Sequence, residues 1–324
     1  MAITFVIIFT ICFFLVRLMP VDISQGPGKD PTTYEKMRQA YGYDKPLIDQ
    51  YLIFIRNIFY PYYKDANGVT YSVSRFGYSW QIDYMAEPNK MLFSKMAPTV
   101  IINGISILIS IPLGILIGIY MALKKNKWQD YVLSVLVIVL ISVPAFVYAF
   151  ILQYSFSYKL NLFPTTMPPL MNGMSWFSPS VQKAMVLPVI ANSIGSTAVF
   201  SRFMRAELSE TLTSRFMILA RSKGMSKFEA VVKHGLRNSM VPIFPMILGH
   251  VIGIFSGSII VEQVFGVPGV GKIFLDSILQ HDYDVFLFVG MFYILIGLAG
   301  GLLADISYGL ADPRIRVGGN FKNE

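Results

Sequence analysis

Six apolar runs, each about as long as a bilayer is thick, dictate the solvent this chain must fold in. They cover residues 2–19, 99–123, 131–157, 184–204, 241–261 and 285–309. At 1.5 Å per residue, about twenty residues cross the roughly 30 Å hydrocarbon core. Backbone polar groups in lipid must be satisfied within the segment, so these runs are expected to be helices. The alternation of a membrane barrel is absent. Charge agrees: only 14% of the 324 residues are charged and 54% are hydrophobic, against about 25% charged in soluble domains. A soluble enzyme is excluded on that ground.

The net charge of +8 does not mark a nucleic-acid binder, because the basic residues lie between the apolar runs, where they set membrane orientation. The stretches after runs two and four and the C-terminal tail carry 14 of the 27 Lys and Arg residues. Lys124, Lys125 and Lys127 follow run two, and Arg202, Arg205, Arg215, Arg221, Lys223, Lys227, Lys233 and Arg237 follow run four. Arg314, Arg316 and Lys322 close the chain. The intervening loops hold little more than Lys159, Lys183 and Lys272. The long first loop has nine basic and eight acidic residues, and long loops translocate largely regardless of charge. Both termini are therefore expected in the cytoplasm.

The first run resembles a signal-peptide core in length, yet no basic stretch precedes it and no small-x-small site follows. It reads as a retained helix whose Arg17 snorkels to an interface, and the missing basic residues are what a lost short native start would leave. The organisation expected is helix one at 1–19, an extracellular loop or subdomain at 20–98, a helical core at 99–311 and a tail at 312–324. Within 20–98, Asn67-Gly68 signals a hairpin turn and residues 70–73 a strand.

Chemistry-bearing patterns are sparse. Cys12 is the only cysteine, which excludes an intrachain disulfide and a cysteine-rich metal site. Gly266 to Lys272 matches GxxxxGK, but Ile273 replaces the magnesium-binding Ser or Thr and the context lacks a preceding strand, so a tight turn is expected. His234, His250 and His281 have no metal-ligand spacing, and no GxSxG nucleophile motif occurs. Glu262 and Asp305 lie at ends of runs, and Gly297 and Gly301 form a small-xxx-small pair that implies close helix packing.

Residues 203–237 form the most unusual stretch. Leu208, Leu212, Phe216 and Leu219 fall on one face of a helix. Ala220-Arg221-Ser222-Lys223-Gly224-Met225-Ser226-Lys227 then ends one helical piece at Gly224 and starts another, with Ser226 as N-cap and Glu229 completing a capping box. From the residues alone two readings stand: an interfacial helix pair on anionic lipid, or a docking element for a cytoplasmic partner.

At this stretch the chain resembles a family, the membrane permease subunits of ATP-binding-cassette importers, oligopeptide/dipeptide branch, B-type subunit. The resemblance covers nearly the whole chain and is weakest in the first loop. It rests on Phe14-Leu15-Val16-Arg17-Leu18-Met19-Pro20, on Ala220 to Gly224 with His234-Gly235-Leu236-Arg237-Asn238, and on Val261-Glu262-Gln263-Val264-Phe265 with Pro268-Gly269-Val270-Gly271. Asp282-Tyr283 and Asp312-Pro313-Arg314-Ile315-Arg316 complete it. The broad importer consensus is met only at Ala220 of its first triplet, with His234 at its Ile position, so the branch-specific residues carry the match.

The resemblance implies an all-α integral membrane fold of six transmembrane helices, a type I importer-like transmembrane domain in a bacterial cell membrane. It implies a coupling loop at 205–240 in which Ala220 to Lys227 seat in a cytoplasmic ATPase. The implied partners are a second homologous permease subunit, two cytoplasmic ATPase subunits, an extracellular or periplasmic substrate-binding protein and membrane lipid, with no nucleic acid. ATP and magnesium would belong to the ATPases, leaving this chain without a cofactor and without catalysis. Di- or oligopeptides are the implied cargo, with nickel complexes or glutathione as alternatives. A stand-alone secondary transporter would instead show inverted repeats and mid-membrane ionisable residues.

Overall fold

In the computed structural model, residues 1–19, 31–64, 68–170 and 174–311 are described; the C-terminal motif from Asp312 to Arg316 and Asn67 lie outside them. The chain divides into two compact units, residues 1–97 with 269–298, and 98–268 with 299–324.

The first unit begins with helix α1 (Ala2–Arg17), followed by α2 (Pro31–Tyr41) and α3 (Leu47–Phe59). A hairpin follows, β1 (Tyr62–Lys64) against β2 (Thr70–Ser72), antiparallel with Tyr63 opposite Tyr71. This matches the expected strand at 70–73, and Gly68 takes the positive φ (+83°) that hairpin turns require. The unit also holds the start of α4 (Pro88–Leu123), α12 (Val270–Leu279) and the first part of α13 (Tyr283–Ala311). Phe9, Phe13 and Val16 of α1 meet Phe54 of α3, Tyr283 and Leu287 in an aromatic core. Met91, Leu92, Val270, Ile273, Val285 and Val289 form a second one.

The second unit contains the rest of α4, α5 (Trp128–Ser142), α6 (Ala145–Leu152), α7 (Pro179–Thr211), α8 (Arg215–Ser222), α9 (Lys227–Ala230), α10 (Leu236–Gly253) and α11 (Ile259–Val264). The end of α13 belongs to it as well. Gly114 and Gly118 let α4 approach α7: a Cβ on Gly114 would sit 2.6 Å from the Phe200 Cβ, and one on Gly118 2.6 Å from the Met204 Cβ. Phe200, Met204, Leu208 and Ile243 are buried behind this contact. The Asp130 carboxylate at the start of α5 accepts two bonds, 2.5 and 2.7 Å, from the Arg205 guanidinium on α7. Arg202 and Arg205, counted above as loop charges, therefore lie within a helix.

Four helices among the described residues are long and apolar enough to cross a membrane: Pro88–Leu123, Pro179–Thr211, the run Lys227–Val264 and Tyr283–Ser307. A fifth is reached if α5 and the helix after it count as one span, although they meet at 98°. The expected third span is thus broken, because Pro144 forces Val143 into an extended conformation (ψ 125°) and cannot donate to the helix ladder. Helix α1, with 16 residues, reaches about 24 Å, short of the hydrocarbon thickness. At Gly297 and Gly301 a Cβ would meet nothing within 4 Å, so the close packing expected of that pair is found instead at Gly114 and Gly118.

Candidate functional sites

The segment singled out as a docking element folds as a compact joint. Helix α8 ends in a Schellman motif: the N–H of Gly224 donates to the Arg221 carbonyl at 3.0 Å, and that of Met225 to Ala220 at 3.3 Å. Gly224 sits at φ +91° with open space around its missing Cβ, so only the backbone conformation demands glycine there. The Ser226 hydroxyl then accepts the Glu229 N–H at 3.2 Å and caps α9. The capping box is half formed, because the Glu229 carboxylate takes the Lys233 ammonium at 2.7 Å.

The two short helices close on a small core of Met217, Ala230 and Val231, with Leu212, Met225 and Leu236 packed against it. Ala220 is buried, Met225 half-buried, and Arg221, Ser222, Lys223, Gly224, Ser226 and Lys227 are exposed. The expected stripe of Leu208, Leu212, Phe216 and Leu219 does not form one face. Helix α7 stops at Thr211, Ser214 begins α8 in an extended conformation, and the helical phase restarts. Phe216, Ile218, Leu219 and Phe228 consequently point outward, Phe228 at 79% exposure. The joint thus presents an apolar patch among Arg221, Lys223 and Lys227. A π-helical turn, Val231–Gly235, leads into α10, and the Ser239 hydroxyl donates to Thr211 Oγ1 at 3.1 Å, tying that helix to the end of α7.

A second polar centre, inside the first unit, was only half legible. One oxygen of Asp282 accepts from the Ser79 hydroxyl (2.6 Å) and from the N–H groups of Trp80, Gln81 and Ile82 (3.0–3.1 Å). Two residues on, Asp284 accepts from the Arg17 guanidinium at 2.9 Å and from the Tyr43 hydroxyl. Arg17 does not snorkel: its side chain is 8% exposed and lies 4.4 Å over the Tyr43 ring. Burial, and next the Asp284 carboxylate, raise the Tyr43 pKa well above its ordinary value, so its hydroxyl stays a donor. These residues organise the unit; the Asp-x-Asp spacing was the available signal.

Glu262 on α11 is buried and accepts from Thr99 Oγ1 at 2.8 Å, while Asp305 is exposed on α13. The stretch ahead of the GxxxxGK match, Ile259–Val264, is helix α11 and not the strand that a phosphate-binding loop follows.

Several helices long and apolar enough to cross a membrane, together with an exposed, capped helix pair, fit a membrane permease. The chain belongs to the family described as binding-protein-dependent transport system inner membrane component, whose model matches residues 114–317; the family's N-terminal model matches residues 1–101. It is 33% identical to the dipeptide transport system permease protein DppB of Lactococcus lactis subsp. cremoris, over 97% of this chain and 95% of that one. It is 31% identical to the protein of the same name from Bacillus subtilis, over 98% and 95%. Identity to the glutathione transport system permease protein GsiC of Salmonella choleraesuis is also 31%, over 97% and 95%. Among solved structures, the inward-facing MetNI methionine ABC transporter shares the fold, with a TM-score of 0.50 and 15% identity over 69% of this chain and 99% of that one. The protein is accordingly a multi-pass membrane component of a binding-protein-dependent importer.

Proposed function

We propose that this chain is one of two permease subunits of an ATP-driven peptide importer in a bacterial cell membrane, taking di- or oligopeptides. The observation that carries the coupling role is the joint at Gly224. A Schellman stop and a serine cap hold two short helices rigidly, and an apolar patch rimmed by cations faces outward for a partner to cover. A cytoplasmic ATPase subunit is the partner that fits, with ATP and magnesium bound there. Closure of two such ATPases would rock this subunit against a related second one between inward- and outward-facing states.

The reading includes six spans, with α1 and the bent α5–α6 pair each counted as one, and both termini in the cytoplasm. The peptide cargo is supported by two dipeptide permeases and a glutathione permease among the relatives, glutathione being itself a γ-linked tripeptide. The exposed tyrosines of the hairpin region, Tyr60 and Tyr62, are a surface for the substrate-binding protein.

The test is affinity purification from native membranes in mild detergent. One or two ATPases and a second permease should co-purify with wild type, and Phe228→Asp should lose the ATPases while keeping the second permease. Gly224→Pro, which cannot reach a positive φ and loses the bond to Arg221, should uncouple ATP hydrolysis from uptake. Normal uptake by Gly224→Pro would remove the joint from the mechanism.

A further inference from the structure

The second unit carries an open cleft of about 410 Å³ that has no part in the joint. Asn103 of α4, Asn192 and Ser196 of α7, His250 of α10 and Ser258 line it. Asn192 lies within apolar run four and Asn103 one turn inside the start of run two, positions where polar side chains mark a path or a site by default. The continuous run Lys227–Val264 also breaks here. After α10 comes a single 3-10 turn, Ile254–Ser256, and then Gly257 at φ +72°. Backbone freed from a helix at membrane depth is tolerated only against protein or a polar cavity. This break has both: Asn103 Nδ2 donates to the Ile254 carbonyl at 3.0 Å, and Gly257 lines the cleft.

We infer that this cleft is a station on the translocation path that reads the backbone amides of a passing peptide, an inference that rests on the peptide reading above. Among the described residues the cleft wall carries no Asp, Glu, Lys or Arg, so fixed charge on the cargo is not what it recognises. A carboxamide has two N–H donors and a carbonyl acceptor. Asn192 Nδ2 donates one bond to Asn103 Oδ1 at 3.0 Å, and Asn103 spends one N–H on Ile254. The Asn192 carbonyl and one N–H on each asparagine remain, which is the complement of a peptide N–H and C=O. Gly249 and Gly253, one helical turn apart, meet nothing within 4 Å at their missing Cβ positions, so the wall there is bare backbone with room for a chain. The volume falls within the usual range for small-molecule pockets. Recognition of backbone amides by a wall that mixes asparagine and serine with Ile107 and Ile254, and has no fixed charge, suits a carrier of peptides of varied sequence.

The experiment uses the whole transporter in proteoliposomes with its binding protein, and a radiolabelled dipeptide beside its isostere with an ester in place of the amide. Gly253→Leu adds a side chain to the cleft wall at a position where a Cβ meets nothing within 4 Å, and should cut dipeptide uptake to about a tenth or less. Asn192→Leu should cut dipeptide uptake about tenfold, the size of one lost hydrogen bond, and shift the amide-to-ester uptake ratio toward the ester. The binding protein is the same in every comparison, so a shifted ratio reports on the permease. Assembly is checked by co-purification of the partner subunits. Wild-type uptake by both variants would overturn the inference, as would an unchanged amide-to-ester ratio in Asn192→Leu. Wild-type transporter that takes up neither the dipeptide nor a longer peptide would defeat the peptide reading, and the inference with it.

Discussion

Replacing Asp282 by alanine would strand the Ser79 hydroxyl and three consecutive N–H groups, 80 to 82, around a buried void. Losing a charged acceptor from several buried donors costs about 3 kcal/mol or more, so thermal unfolding of purified Asp282→Ala in detergent should show a large drop in midpoint. Asp282→Asn keeps one acceptor oxygen and should lose less. Gly77→Ala acts on the neighbouring acid: Gly77 is at φ +82°, and a Cβ there would lie 2.2 Å from Asp284 Oδ2. It should displace Asp284 from Arg17. A thermal-shift double-mutant cycle of Gly77→Ala with Asp284→Ala should therefore be strongly non-additive, and simple addition would show that the two act separately. Little of this was readable beforehand. Arg17 at a helix end reads as an interfacial anchor, and only the fold brings it to an acid 267 residues away.

At the scale of elements, two glycine pairs on long helices behave oppositely. Gly118→Leu must push α7 away from α4 and should abolish accumulation of folded protein, or lower its unfolding midpoint, through overpacking of at least about 1–3 kcal/mol. At Gly301 an added Cβ meets no described residue within 4 Å, so Gly301→Leu should leave the thermal stability of the isolated subunit nearly unchanged. Equal damage from both would contradict the packing described here. The joint gives a milder contrast. Gly224→Ala should cost about 1 kcal/mol by forcing a left-handed conformation, and Gly224→Asn less, because asparagine tolerates that region. Hydrogen exchange of the α8–α9 amides would measure both. The Gly and Ser signals of this joint were legible because caps are local. The apolar stripe around it was misread because a turn at 212–214 resets the helical phase, and side-chain periodicity does not show where a helix pauses.

For the whole molecule, the single cysteine makes topology measurable. On a Cys12→Ser background, Lys64→Cys in β1 should react with a membrane-impermeant maleimide applied to intact cells, whereas Lys223→Cys in the joint should react only after the membrane is opened. The opposite pattern would invert the orientation inferred from Lys and Arg placement.

Hydropathy alone determined that this chain is a helical membrane protein, since a run of about twenty apolar residues has no other stable fate in or out of lipid. Local chemistry alone determined the joint at Gly224 and the hairpin strand, because caps and turns need only their neighbours. The approach of α4 to α7 at Gly114 and Gly118, the ion pair of Arg17 with Asp284 and the polar cleft around Asn103 and Asn192 were decided by tertiary structure. Each depends on which of several equally apolar helices becomes the neighbour, and lipid-facing sequences carry little charge patterning to specify that choice in advance.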